Sequence, residues 1–246
     1  MDKTAITRRI ENFAPLNLQE EWDCSGWIVK TATKEVKKIL LCLTVTDKII
    51  KQAKEKNCDM IISHHPLFCV PTKYKDIDIY CAHTNLDRTE GGTTDVLVST
   101  LGLDGYKIGN EGELSFLRYA DYNGGIDEFA EILSGISRNL RIVNPYGIKS
   151  IKKIAFCAGS GSEFISEAYK NGADALVTGD IKFHTAVESP IVLFDVGHFE
   201  SEILVLKVFD MLINDVADVV YADEGSPFVG YNVRNCGACG GCGRRQ

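Results

Sequence analysis

Residues 37–66 read KKILLCLTVTDKIIKQAKEKNCDMIISHHP, and they set the fold. Lys38 to Val45 is a near-continuous apolar run, the mark of a strand covered on both faces. Asp47 to Lys56 follows with a helical pattern, then Asp59 to Ser63 as a second strand and Ile77 to His83 as a third. Outward from this core, a first helix is expected over Thr4 to Phe13, with Ile6, Ile10 and Phe13 on one face. Further helices are expected at Thr93 to Leu103 and Ile126 to Ile136.

The pattern recurs 115 residues later, where Lys152 to Glu202 aligns without a gap on Lys37 to Asp87. Nine of the fifty-one positions are identical, among them Cys42 with Cys157, Asp59 with Asp174, and His83 with His198. Asp87 falls on Glu202, a carboxylate on a carboxylate. Apolar runs alternating with helical stretches give an α/β class. The expected fold is two similar α/β lobes facing each other across a pseudo-twofold axis, with a site between them that draws on both. The first lobe is placed at 1–103, a linking region that completes the lobes at 104–150, and the second lobe at 151–234. The final stretch, 235–246, is a Cys- and Gly-rich tail.

The formal charge of −7 argues against a nucleic-acid partner, which needs a basic surface, and equally against an anionic membrane face. No apolar run is long enough to span a bilayer, and the N-terminus lacks the apolar core of a secretion signal. Nine cysteines, an odd number and scattered, fit a reduced chain, so a cytoplasmic location is expected.

The strongest local signal is Ser63-His64-His65-Pro66 at the end of a strand. Adjacent residues on a strand point to opposite faces, so both imidazoles reach one centre only where the strand ends, and Pro66 supplies the turn. His83 and His198 also sit at expected strand ends, and each is followed four residues later by a carboxylate, Asp87 and Glu202. On a helical turn that spacing brings ring and acid to one face. His184 lies four residues after Asp180. Mixed imidazole and carboxylate donors favour two divalent ions of zinc, iron or manganese over calcium or magnesium. Two such ions sharing a water make hydroxide available at neutral pH, which fits hydrolysis.

Other constellations carry less. Gly159-Ser-Gly-Ser162 could cradle a phosphate, but without the lysine of a P-loop a plain strand–helix turn is the simpler reading. Cys236, Cys239 and Cys242 have metal-binding spacing but lack a fourth ligand. Trp22-Asp23-Cys24-Ser25-Gly26-Trp27 reads as a pocket wall or as core.

The segments SHHPLF, AHTNLD, GG-x-x-D (Gly91, Gly92, Asp95), TGDIKFH and GHFESE, in this order, resemble the NIF-three-like dinuclear metal proteins, often named GTP cyclohydrolase I type 2 homologues. The resemblance implies metal ligands at His64, His65, Asp87, His198 and Glu202, with Glu202 the bridge. It implies a ring-shaped homohexamer whose metals face an interior cavity. His83 and His184 match family histidines near the metals and are proton-transfer candidates. The chain departs from the family where WDN-x-G-L is usual and Trp22-Asp23-Cys24-Ser25-Gly26-Trp27 stands, and where Thr44 replaces a common aspartate. It also lacks the domain that longer relatives insert between the lobes. The implied function is a metal-dependent hydrolase with a metal-bridged hydroxide as nucleophile and a small-molecule substrate, such as a purine nucleotide. The alternatives are a non-catalytic protein that stores, delivers or senses metal, and a metal-dependent phosphoester or nucleotide hydrolase.

Overall fold

The structure, a computed structural model, describes residues 1–108 and 115–229. The cysteine tail at 235–246 lies outside the described residues. In chain order the strands are β1 (Gly26–Val29), β2 (Lys38–Cys42), β3 (Met60–Ser63), β4 (Asp78–Cys81), β5 (Arg118–Gly125), β6 (Arg141–Val143), β7 (Ser150–Phe156), β8 (Ala175–Thr178), β9 (Val192–Asp195) and β10 (Asp218–Tyr221). The α-helices are α1 (Lys3–Phe13), α2 (Asp47–Glu55), α3 (Thr84–Arg88), α4 (Thr93–Thr100), α5 (Ile126–Ser134), α6 (Ile165–Lys170), α7 (Phe183–Val187), α8 (His198–Glu202) and α9 (Leu206–Ile213).

The strands form two five-stranded sheets that repeat one plan. The first runs β10-β2-β3-β4-β1 and the second β5-β7-β8-β9-β6. In each, three central strands are parallel and the strand after them is antiparallel. The repeat extends to single hydrogen bonds. Asp59 Oδ2 accepts from the amides of Lys37 (2.8 Å) and Lys38 (3.0 Å), and Asp174 Oδ2 accepts from those of Lys152 (2.7 Å) and Lys153 (3.1 Å).

The apolar run at β2 follows from its cover. Leu40 and Cys42 face α2, packing with Ile49, Ile50 and Ala53, while Ile39 and Leu41 face the layer of α1 and α9 with Ile6, Ile10 and Phe209. Alternate residues point to opposite faces, so a strand covered twice is apolar throughout. Thr46 caps α2 by accepting from the Ile49 amide, an interaction of about 1 kcal/mol. The strand expected to reach Val45 stops at Cys42. There the Leu43 amide leaves the ladder and donates to Glu224 Oε1 at 2.6 Å.

The division of the chain also differs from expectation. β10 and α9, expected in the second lobe, belong to the first: β10 pairs parallel with β2, and Leu206, Val208, Phe209 and Ile213 of α9 fill that lobe's core. The expected linking region supplies β5, α5 and β6, all of the second sheet or its core. The physical reason is the open edge of each first central strand, which needs a hydrogen-bonding partner. In the second sheet the antiparallel β5 pairs with β7; in the first the chain's last strand returns to pair with β2. Among the described residues, no helix is long and apolar enough to cross a membrane.

Candidate metal centre

The C-terminal ends of the parallel strands point toward the junction of the two sheets, and the histidines follow those ends. β3 stops at Ser63, so His64 and His65 occupy the turn. His64 is fully buried, and its Nδ1 donates to the Ala82 carbonyl at 2.9 Å, which leaves Nε2 with a free lone pair. His65 Nδ1 is held 2.6 Å from Thr44 Oγ1, and its Nε2 lies 2.8 Å from Glu202 Oε2. From the other sheet, α8 begins at His198 after Gly197 and places His198 and Glu202 one turn apart on the same face, with Nε2 and Oε2 separated by 2.9 Å. His198 Nδ1 donates to Asp180 Oδ2 at 2.7 Å.

Asp87, on α3, completes the set. Its Oδ1 lies 3.4 Å from His64 Nε2, and neither buried atom has a hydrogen-bond partner. Buried polar atoms are nearly always paired, so two orphans facing each other point to a missing partner between them. Glu202 Oε1 stands 3.9 Å from the same His64 nitrogen while Oε2 faces His65 and His198, the disposition of a bridging carboxylate. Donor atoms of His65, His198 and Glu202 lie within 4.8 Å of one another, as do those of His64, His65 and His83. These groups could hold metal ions, and the five residues that the resemblance implies as ligands lie together here.

The charges of the ion-free cluster are mutually adjusted. Burial drives the His64 pKa down to about 3, so the ring is neutral and free to donate its lone pair. Burial also opposes ionisation of Glu202, but hydrogen bonds from His198 and His65 outweigh it and hold the carboxyl below its usual range. Burial, together with the Glu202 charge, pushes Asp87 up to about 7. For His198 burial disfavours the cation, yet the bond to Glu202 and then Asp180 carry its pKa up to about 9.

The family model described as Duf34/NIF3 (NGG1p interacting factor 3) matches residues 1–223. The chain belongs to the DUF34/NIF3 family. Among relatives, the "GTP cyclohydrolase 1 type 2 homolog" of Clostridium perfringens is 35% identical, over 91% of this chain and 97% of that protein. Among solved structures, reduced HcgD from Methanocaldococcus jannaschii superposes with a TM-score of 0.78 at 27% identity, covering 91% of this chain and 98% of that one. TTHA1606 from Thermus thermophilus shares the fold, with a TM-score of 0.79 at 21% identity over 93% of this chain and all of that one (100%).

In this DUF34/NIF3 chain a cavity of about 730 Å³ opens on the cluster, lined by His83, Asp87, His198 and Glu202 among others. Of the two proton-transfer candidates, the structure brings in His83 alone. Its Nδ1 lies 3.0 Å from Asp23 Oδ1. Burial works against its cation, but Asp23 and Asp87 raise its pKa overall. His184 is exposed on α7 beside Phe183 and does not line the cavity. The reason is local: Asp180, at φ 55° on the turn after β8, bonds His198 from the surface side, and α7 carries the exposed His184 away.

Three supporting residues escaped assignment from sequence: Asp23, Thr44 and Asp180. Asp180 carried a signal, because it falls 115 residues after His65 in the repeat. The glycine loop is no phosphate cradle. The Gly159 amide donates to Ser201 Oγ (2.9 Å) and that of Gly161 to Thr178 Oγ1 (2.7 Å), so both donors are already satisfied. Gly159 is needed for space: with φ at +69°, a Cβ there would sit 2.0 Å from Glu202 Oε1.

Proposed function

We propose that this chain holds two divalent ions of zinc, iron or manganese and is a metal-dependent hydrolase of a small molecule. One ion would be held by His64, Asp87 and Glu202, the other by His65, His198 and Glu202. The observation that carries the reading is the facing pair of buried, unpartnered atoms, His64 Nε2 and Asp87 Oδ1 at 3.4 Å, beside a carboxylate turned to both halves of the site. When bound, such an ion pair supplies an activated water as nucleophile and polarises the bond under attack. The protein's own residues do the rest. The Ala82 carbonyl, Thr44 and Asp180 fix the ring planes of His64, His65 and His198. His83, braced by Asp23, is the cavity group suited to pass a proton to a departing atom, since imidazole titrates near neutrality.

The name of the Clostridium perfringens relative points to a purine nucleotide as substrate, and the cavity has room for a compound of that size. The homohexamer belongs to the same proposal. It is supported by the exposed, repeat-related Phe68 (68%) and Phe183 (74%), large apolar groups of the kind subunit contacts cover. Sedimentation of the purified chain tests the assembly. For the site, elemental analysis of protein purified without chelator should give about two ions per chain. The Glu202→Ala chain should retain almost none. A screen of cyclic amides, phosphoesters and GTP then compares the two proteins. Full occupancy with no turnover of any compound above the Glu202→Ala control would leave a metal-holding protein and remove the hydrolase.

A further inference from the structure

The cavity is much larger than two ions require, and its walls carry chemistry that the metal cluster does not use. Among the described residues that line it, Arg88 is the single lysine or arginine. Its guanidinium is already engaged, bonded to the Glu20 carboxylate and, at 3.4 Å, to the Leu18 carbonyl. Its Cζ lies 4.7 Å from the centre of the Phe116 ring, and Phe116 stacks on Phe164 with centroids 5.5 Å apart and planes 30° from parallel. Glu163 and Glu167, both exposed, add two carboxylates to the same lining. A phosphate chain needs unpaired cations presented as a fork or a ring of donors. This wall offers a guanidinium paired with Glu20, its Nε buried without a partner, set beside two stacked aromatic rings and flanked by acids. Flat cations and aromatic faces are instead platforms for unsaturated rings, which stack on them with little regard to substituents.

We propose that the Arg88–Phe116–Phe164 wall is the binding site for a planar heterocycle, and that without bound ions the cavity holds such a ring more tightly than a nucleoside triphosphate. The assignment builds on the metal-dependent hydrolase reading for what happens to the ligand afterwards, while the binding itself requires only the wall. Asp87 and Arg88 are neighbours on α3, so a ring on this wall lies alongside the metal-binding residues. Glu20 acts as a selectivity group: by holding Arg88 it keeps the single arginine or lysine of the described lining away from anions.

The test is equilibrium binding of guanosine, GTP and inorganic triphosphate to the full chain, followed by calorimetry. Each ligand is titrated into chelator-stripped protein, and guanosine also into zinc-loaded protein. In stripped protein guanosine should bind at least about tenfold more tightly than GTP, and triphosphate should not bind. Phe164→Ala should weaken guanosine about tenfold or more in both states, with zinc content unchanged as the check that the fold survives. Glu20→Gln should release Arg88 and raise GTP affinity several-fold. GTP binding as tightly as guanosine in stripped protein would overturn the proposal. So would a Phe164→Ala chain of unchanged guanosine affinity, or a Glu20→Gln chain no better at holding GTP. The two readings fail separately. Guanosine bound on the wall without turnover in the loaded chain defeats the hydrolase and leaves the wall, whereas efficient metal-dependent turnover of GTP with no ring preference does the reverse.

Discussion

Loading the cluster with cations should expel protons, and the number is set by the charges of the empty site. With its pKa near 9, His198 is about 99% protonated at pH 7 in the ion-free chain, so a cation binding at Nε2 must displace nearly a whole proton. Asp87, near 7, contributes about half of one, and His64, near 3, contributes none. About one and a half protons should therefore leave per chain at pH 7. Removing the His198 proton from pH 7 rather than pH 9 costs about 2.7 kcal/mol, two pKa units at about 1.36 kcal/mol each. Apparent affinity should rise up to about 100-fold between those pH values, a ceiling that solvent screening lowers because the His198 side chain is 31% exposed. Calorimetric titration of manganese into chelator-stripped protein, in two buffers of different ionisation enthalpy, reads both quantities. Asp180→Asn, which removes one support of the His198 cation, should cut the proton count and flatten the pH slope. Affinity independent of pH between 7 and 9, with no protons released, would show that His198 is not a ligand.

Other consequences can be checked alongside it. In stripped protein the thermal midpoint should fall as pH rises from 6 to 9. Both His198 and Asp87 have folded pKa values above their unfolded ones, 6.5 and 3.8, so their stabilisation is complete below those values and is lost as pH passes about 9 and about 7; a midpoint that climbs over this window contradicts the assigned protonation. Gly159→Ala should lower metal occupancy without deleting a ligand, because the new methyl group occupies the place of Glu202 Oε1, and unchanged elemental content would refute the crowding. Thr44→Val should weaken one metal site by about 10–100-fold through the freed His65 ring, measurable by competition with a coloured chelator. Asp78→Ala strands the buried Lys3 ammonium, whose side chain is 7% exposed and bonded to both Asp78 oxygens at 2.8 Å; urea unfolding should register a loss of about 3–5 kcal/mol.

Much of this was legible in the sequence, for stated reasons. The period of the apolar residues gave α2, β3 and β4 to within two or three residues at either end, because each is covered on faces that its neighbours in sequence also define. The repeat made His83 and His198 equivalent, and coordinates place both beside the strand ends that carry the cluster. What escaped were residues whose roles depend on partners distant along the chain. Asp23 is sixty positions from His83 (|i−j| = 60), and nothing in Trp22-Asp23-Cys24 marks it as a brace. His184 misled because a four-residue spacing from Asp180 promised a shared face; the left-handed turn at Asp180 sends the two side chains apart. The return of β10 to the first sheet was equally hidden, since any half-apolar strand could have closed either edge.

That return has a consequence for biogenesis. The second sheet is assembled from one unbroken span, Arg118 to Asp195, and its strands can pair as soon as that span has emerged from the ribosome. The first sheet is translated earlier but cannot finish earlier, because β2 must wait for Asp218–Tyr221 to be synthesised before its outer edge is covered. The N-terminal half is therefore the late-maturing half, and a nascent chain halted before residue 218 exposes an unpaired strand edge for chaperones to shield.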